Sequence, residues 1–436
     1  MTKSYKSLQA HVKKSMGLRT LDEVLLQLAP SKEDYKPRIP NTLRNTPESV
    51  EEIYSLLKVS PETKHLLWDD EAQKHLDKYD PNIENYIGTA KIPIGLAGPL
   101  RVNGVFAKGD YYIPMATTEA ALVGSYHRGC QLISEVGGCS AMLLSEGISR
   151  APLFVFNNLR EAGCFVFWAI GQVEEFRRIA EKTTRFGKLS DMLVNVHGCD
   201  VFLIFEYTTG DASGQNMVTI ATQAIYECIL QNSPVKPRMS FLESNMSGDK
   251  KATAQAFQQV RGKKVTAEVI IPDSLMQTHM GVSATMMVEY STKSTTGSLI
   301  TGSIGAQGHM ANALAAIFIA CGQDAACVGE SAVGITTASL TPQGDLYVSV
   351  SLPNVMLGTV GGGTGLPTPK ACLEIMGIPA QGGAPILAEV VAGVVLAGEI
   401  SIAAAFVGGY FSKAHQVLAR FKKKSMLQTS NQANTS

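Results

Sequence analysis

The chain has 436 residues, more than one compact core usually supports, so length alone points to two or three domains. Its 38 basic and 38 acidic side chains cancel, which excludes a global charge directed at nucleic acid or an anionic membrane surface; a polyanionic ligand must meet a local cluster. The eight cysteines (130, 139, 164, 199, 228, 321, 327 and 372) stand in apolar contexts with no CxxC and no zinc spacing, and read as reduced thiols of a cytosolic enzyme.

Residues 1–83 are polar and helix-leaning. The N-terminus lacks the apolar core of a signal peptide. "TLDEVLLQL" and "TPESVEEIYSLL" carry helical periodicity behind threonine caps, with the proline-punctuated "YKPRIPN" between them. From Glu84 the chain turns glycine-rich and apolar. Residues 151–242 read as a separate small unit: "GCFVFWAI" as a strand, "VEEFRRIAEKTTR" as a helix, and "LSDMLVNVHG" with "CDVFLIFEYTT" as a hairpin around Gly198. "SGQNMVTIATQAIYECIL" follows as a helix, and one more strand is expected near "PVKPRMSFL". That β-α-β-β-α order is ferredoxin-like.

Beyond it, apolar helices alternate with glycine turns as far as Arg420, and 421–436 read as a disordered tail. "ILAEVVAGVVLAGEISIAAAFVGGYF" is membrane-like in composition, but Glu389 and Glu399 divide it into pieces too short to span a bilayer. Its alanines and glycines favour a closely packed internal helix. The fold class expected is therefore α+β, a helix-rich large domain (84–150 and 243–420) carrying the inserted small domain (151–242) behind the N-terminal segment.

No GxGxxG follows a strand and opens a helix, and "GTVGGGTG" (358–365) fits neither the Rossmann spacing nor a Walker loop; alone it marks a close backbone approach. Glu119, behind a threonine pair, first reads as a carboxylate favoured by a helix N-terminus. The loop "SNMSGDKKATAQ" gathers Ser244, Asn245, Asp249, Lys250 and Lys251, either as a solvated turn or as an anion site able to hold a developing oxyanion. Asp324 stands in the apolar run "IFIACGQDAACVGES", read as an apolar helix, where a lone carboxylate costs several kcal/mol; an ion pair and a working acid both remain open. His415 reads as a surface histidine or a general acid, and Arg150 and Arg185 as solvated charges or anion clamps.

Together, "ENYIGTAKIPIGLAGPL", "PMATTEAAL", "GDASGQNM", "SGDKKA", "IACGQDAA" and "GTVGGGTGLPTPKACLEIMG", in this order from Glu84 to Arg420, resemble the hydroxymethylglutaryl-CoA reductases. Of the family's two classes, the sequence looks closer to the catalytic portion of class I, without the membrane domain of animal and fungal members. The resemblance implies a metal-free four-electron reduction of (S)-3-hydroxy-3-methylglutaryl-CoA, through a mevaldyl-CoA hemithioacetal and mevaldehyde, to mevalonate with two NADPH. It implies Lys250 as oxyanion stabiliser, Glu119 as proton donor sharing a proton with a nearby Asp324, and His415 protonating the CoA thiolate, with Asp324 tied to both Glu119 and Lys250.

Arg150, Ser244, Asp249, Lys251, Lys293 and Asn312 match residues around the acyl group, and Ser125, Arg128 and His309 match CoA contacts. Arg185, Asp211, Gly214, Asn216, Gly361, Gly362, Gly363, Thr364 and Arg420 match the NADP site, with Arg185 at the 2′-phosphate. Ser213 and Gln215 depart from the usual "DAMGMN", His127 replaces an asparagine beside CoA, and "GAQGHMANA" departs from "NAHAAN". The resemblance further implies a cytoplasmic homo-oligomer built on a dimer that shares its active sites. Two alternatives stand beside it: an NAD-linked homologue oxidising mevalonate, and a silent acyl-CoA-binding relative.

Overall fold

The computed structural model describes residues 4–17, 19–30, 36–40, 44–259 and 261–411. The described residues form two compact units, one drawn from positions 4–73 with 83–88 and the other from positions 74–82 with 89–411. The first is helical. Thr20 caps Leu21–Leu28 in a reciprocal box with Glu23, and Thr46 does the same with Ser49 for Pro47–Leu56. Val50 and Ile53 are buried, and Trp68 meets Tyr86 edge-on at 5.9 Å.

The second unit is α+β and, among its described residues, holds ten strands: β1 (Ile94–Gly104), β2 (Lys108–Ala116), β3 (Cys139–Arg150), β4 (Leu153–Val155), β5 (Lys188–His197), β6 (Asp200–Thr208), β7 (Met239–Phe241), β8 (Gly262–Ile271), β9 (Ile335–Leu340) and β10 (Leu346–Val355). β3 is long enough to serve two neighbourhoods. Its first part pairs with β1 and β8, and its last residues, 148–150, pair with β6. Beyond β6 lie β4 and then β7, and β5 flanks β6 as a hairpin turned at Gly198, whose φ of +62° suits glycine.

The first expected strand of the small unit is a helix. Leu159–Ile170 contains "GCFVFWAI", and the strand lies earlier, at Leu153–Val155. Asn158 accepts the Glu161 N–H at 3.0 Å, and Ala162, Phe165 and Ala169 are buried at helical spacing while Phe167 is 83% exposed. A cap and a 3.6-residue period override the aromatic β-propensity of the run.

The apolar stretch near the C-terminus is one continuous helix, Gly383–Val407, long and apolar enough by composition to cross a membrane but mostly buried against β1, β3, β8, β10 and the helices Leu122–Glu135 and Met310–Ala320. Small residues permit this. A Cβ on Gly129 would stand 2.0 Å from the Ala397 carbonyl oxygen, and one on Gly398 would stand 2.1 Å from the Tyr126 ring. Its two carboxylates do not divide the helix; they anchor it. Glu389 accepts the N–H groups of Phe106, Ala107 and Leu143 at 2.8, 2.7 and 3.1 Å. Glu399 accepts those of Gly308 and His309 and the Thr336 hydroxyl at 2.6–2.7 Å.

Candidate active site

Lys250 and Asp324 are brought together from two loops. Lys250 Nζ lies 2.9 Å from Asp324 Oδ2, with both side chains about two-fifths exposed. Asp324 is not inside a helix, as its apolar setting suggested. The helix Met310–Ala320 ends before Gly322 (φ +67°), and Asp324 caps the short turn Ala325–Cys327 by accepting the Ala326 N–H at 3.0 Å. Desolvation pushes its carboxyl up. The hydrogen bond from Lys250, the Ala326 amide and the lysine charge outweigh this and hold it below the ordinary aspartate range. The bond to Asp324 raises the Lys250 ammonium in turn.

The loop that carries Lys250 rests on buried charge. Arg150 donates to Thr219 Oγ1 at 2.9 Å and to Asp249 Oδ2 at 3.0 Å. Arg261, 5% exposed, reaches Asp249 through Nη2, the Ser149 carbonyl through Nη1 (2.8 Å) and Glu330 through Nε (2.7 Å). Ser244 donates to the Ala151 carbonyl at 2.6 Å, and the exposed Lys251 to the Asp249 carbonyl at 2.8 Å. Arg261, Glu330 and Asn354 were missed in the sequence. "QVRGKKV" reads as a surface basic run, whereas Glu330 carried the same signal as Asp324, a carboxylate in an apolar context.

Glycine-rich loops meet this pair. Gln323 donates to the Gly358 carbonyl (3.0 Å) and accepts its N–H (2.8 Å), and a Cβ on Gly322 would stand 2.3 Å from the Gly363 oxygen. Gly361 and Gly362 have φ of +76° and +55° with open space where a side chain would stand, and Thr364 donates to the Gly361 carbonyl at 2.7 Å. Ala212 bridges to Val360, which brings the turn after β6 alongside. Gly214 (φ +79°) opens the helix Gln215–Asn232, with Asn216 exposed in its first turn.

Asp211 has a structural partner: its carboxylate accepts the Gly382 and Ala384 N–H groups (2.8 and 3.2 Å) and so caps the Gly383–Val407 helix. Arg185 is exposed on a turn whose Thr184 hydroxyl meets Met217 Sδ at 2.8 Å, beside Asn216. Cys327 accepts from Gln215 Nε2 at 2.8 Å; burial, with Glu330 and Asp324 nearby, pushes its thiol well up.

Glu119 belongs to a second cluster. It lines a cavity of about 400 Å³ with Ser125, Arg128, His309, Asn312, Phe406 and Tyr410. Ser125 Oγ lies 2.9 Å from Ser401 Oγ, and the Arg128 guanidinium bonds Ser401 and sits 5.5 Å from the Tyr410 ring centroid. His309 Nε2 lies 2.8 Å from the acceptor-only Gly398 carbonyl, so that nitrogen carries the proton and Nδ1 faces Asn312 Nδ2 at 3.4 Å. No hydrogen bond or ion pair joins the Glu119 side chain to Lys250 or Asp324 among the described residues of one chain, so the expected tie of Asp324 to Glu119 is not met within it. Lys293, exposed on the helix Ala284–Thr301, stands apart from both clusters' bonds. His415 and Arg420 lie outside the described residues.

The family model described as hydroxymethylglutaryl-coenzyme A reductase matches residues 49–420. The chain is 42% identical over 362 residues to the 3-hydroxy-3-methylglutaryl-coenzyme A reductase of Pyrococcus abyssi, covering 80% of this chain and 88% of that protein. It is also 42% identical over 341 residues to the Methanothermobacter thermautotrophicus enzyme, covering 78% and 85%. In fold it is similar to the class II reductase from Streptococcus pneumoniae bound to NADPH, with a TM-score of 0.61 at 21% identity over 84% of this chain and 98% of that one. With an acidic residue, a lysine and a second carboxylate held on the loops where the motifs fall, and a match over most of its length, the chain belongs to the hydroxymethylglutaryl-coenzyme A reductase family.

Proposed function

We propose that the protein reduces hydroxymethylglutaryl-CoA to mevalonate with two NADPH, and that Lys250, Glu119, Asp324 and His415 carry the chemistry. The observation that carries this reading is the Lys250–Asp324 pair, 2.9 Å apart and partly open to solvent beside the glycine loop at 361–364. NADPH supplies the hydride that reduces the thioester carbonyl. Reduction builds negative charge on that oxygen, and a cation fixed in advance stabilises it without reorganisation. Lys250 is such a cation, since its bond to Asp324 raises its pKa and keeps it charged at neutral pH. Glu119 donates the proton, and His415 protonates the departing thiolate.

The cofactor fits the residues on hand. Open space at Gly361 and Gly362 admits a ligand against backbone. Gly214 starts its helix without a side-chain cap, leaving first-turn N–H groups for a phosphate. Arg185 is exposed and makes no hydrogen bond among the described residues, which suits a 2′-phosphate. The strand order β7-β4-β6-β5 around two helical crossovers supports reading 151–242 as a ferredoxin-like cofactor domain. Arg150, Ser244, Asp249, Lys251, Lys293 and Asn312 serve the acyl group, and Ser125, Arg128 and His309 serve CoA at the Glu119 cavity. That no hydrogen bond or ion pair joins Glu119 to Lys250 or Asp324 among the described residues of one chain supports a homo-oligomer in which each site draws Glu119 and Lys250 from different copies.

The test is acyl-CoA-dependent consumption of each reduced nicotinamide by wild type and Arg185→Ala. Wild type is expected to prefer NADPH, and the variant to lose about tenfold or more in kcat/KM with NADPH but little with NADH. Equal use of both cofactors by wild type and variant would remove the 2′-phosphate role.

A further inference from the structure

Glu330 lies 80 residues beyond Lys250, on the short helix Val328–Ser331, with none of its surface exposed. A carboxylate so placed must be fully bonded. Its Oε1 accepts the backbone N–H of Lys250 at 3.2 Å. Its Oε2 accepts Arg261 Nε at 2.7 Å and Asn354 Nδ2 at 3.2 Å. Arg261 is held from its other end by Asp249 and the Ser149 carbonyl, and Asp249 by Arg150.

What this lattice grips is a strained residue. Lys250 has φ of +57°, a region L side chains rarely adopt and one that costs about 1–3 kcal/mol unless the surroundings over-determine it. The residue is gripped on both sides. Glu330 takes its N–H, and Gly329 lies against its carbonyl, where a Cβ would stand 3.3 Å from the oxygen.

We infer that Glu330, oriented by Arg261 and Asn354, is the positioning residue that fixes the Lys250 backbone and thereby aims its ammonium at Asp324 and the reacting oxygen. This rests on the reading of Lys250 given above. A glutamine cannot replace it. One terminal atom of the amide accepts and the other donates, whereas Glu330 needs acceptors on both sides: toward Lys250 N–H, and toward Arg261 and Asn354. Whichever way the amide turns, a donor faces a donor. Glu330 and Arg261 are a buried ion pair within a cluster that also holds Asp249 and Arg150, with Glu243 at its rim 4.0 Å from Arg150, so removing one charge risks the fold as well as the aim.

The experiment compares full-length wild type, Glu330→Gln, the charge-balanced Glu330→Gln/Arg261→Gln, and Lys250→Met. It reads kcat, KM, NADPH and hydroxymethylglutaryl-CoA binding by calorimetry, and thermal unfolding. The inference expects the folded Glu330 variants to bind both ligands within a few-fold of wild type while kcat falls by about 10²-fold, the cost of an ångström-scale misplacement. Should the single variant not fold, the balanced one decides. Wild-type kcat in a folded variant, or a rise in KM alone, would overturn the inference. Wild-type kcat in Lys250→Met would instead overturn the catalytic reading beneath it.

Discussion

Lys250 meets Asp324 where both are partly solvated, so the pair adds little stability, about 0–1 kcal/mol, and its effect lies in where it holds charge. The sign follows from the two shifts. Asp324, held below its ordinary 3.8, keeps the pair intact above that value and loses it as pH falls through the lowered one. Lys250, raised above 10.5, keeps it below that value and loses it as pH rises through the raised one. Both groups are therefore charged throughout the neutral range, and any neutral limb in the rate profile belongs to another group. Asp324→Asn is expected to move the alkaline limb of kcat to lower pH, because Lys250 loses the bond that raises it. A profile carried to about pH 11.5, past the ordinary lysine value of about 10.4, measures this; an unmoved limb would show that Asp324 does not govern the lysine. Asp324 was legible as an anomaly because a carboxylate in an apolar run is rare. Its partner was not, since nothing in spacing joins positions 250 and 324.

At the scale of the element, the Gly383–Val407 helix organises the second unit. Glu389→Met would leave the N–H groups of Phe106, Ala107 and Leu143 without their acceptor in a buried site. Each orphaned donor costs about 1–3 kcal/mol, so a loss of about 3 kcal/mol or more is expected in urea unfolding. A loss below 1 kcal/mol, about what one hydrogen bond is worth, would mean the helix does not depend on this anchor. Asp211→Ala should cost about 1 kcal/mol through the lost cap, a milder change visible as a lowered melting temperature. The helix was readable from its composition and its alanine–glycine packing. The function of its glutamates was not: charge in an apolar run reads as interruption, whereas here it stitches loops 104–107 and 306–309 to the core. The small unit gives the opposite lesson. Its hairpin at Gly198 and its long helix are written in local pattern, but "GCFVFWAI" is too short for period alone to separate strand from helix, and only the Asn158 cap decides it.

Across the whole molecule, the described catalytic candidates fall in two places, Lys250 and Asp324 on their loops and Glu119 at its cavity. The motifs named both clusters; their separation needed coordinates, because order along a chain does not fix which loops meet. If each site takes Glu119 from one copy and Lys250 from another, co-expressing the two inactive variants Glu119→Gln and Lys250→Met restores intact sites. Half of each mixed dimer's sites are then whole, so about a quarter of wild-type activity returns with random pairing. Activity no greater than the sum of the separate variants would place both residues in sites made by one copy. The most direct measurement is kcat of Lys250→Met against wild type with hydroxymethylglutaryl-CoA and NADPH, at matched circular dichroism. A fall of about 10²–10³-fold with both ligands still bound is the predicted result. A folded Lys250→Met that turns over at the wild-type rate would contradict the account.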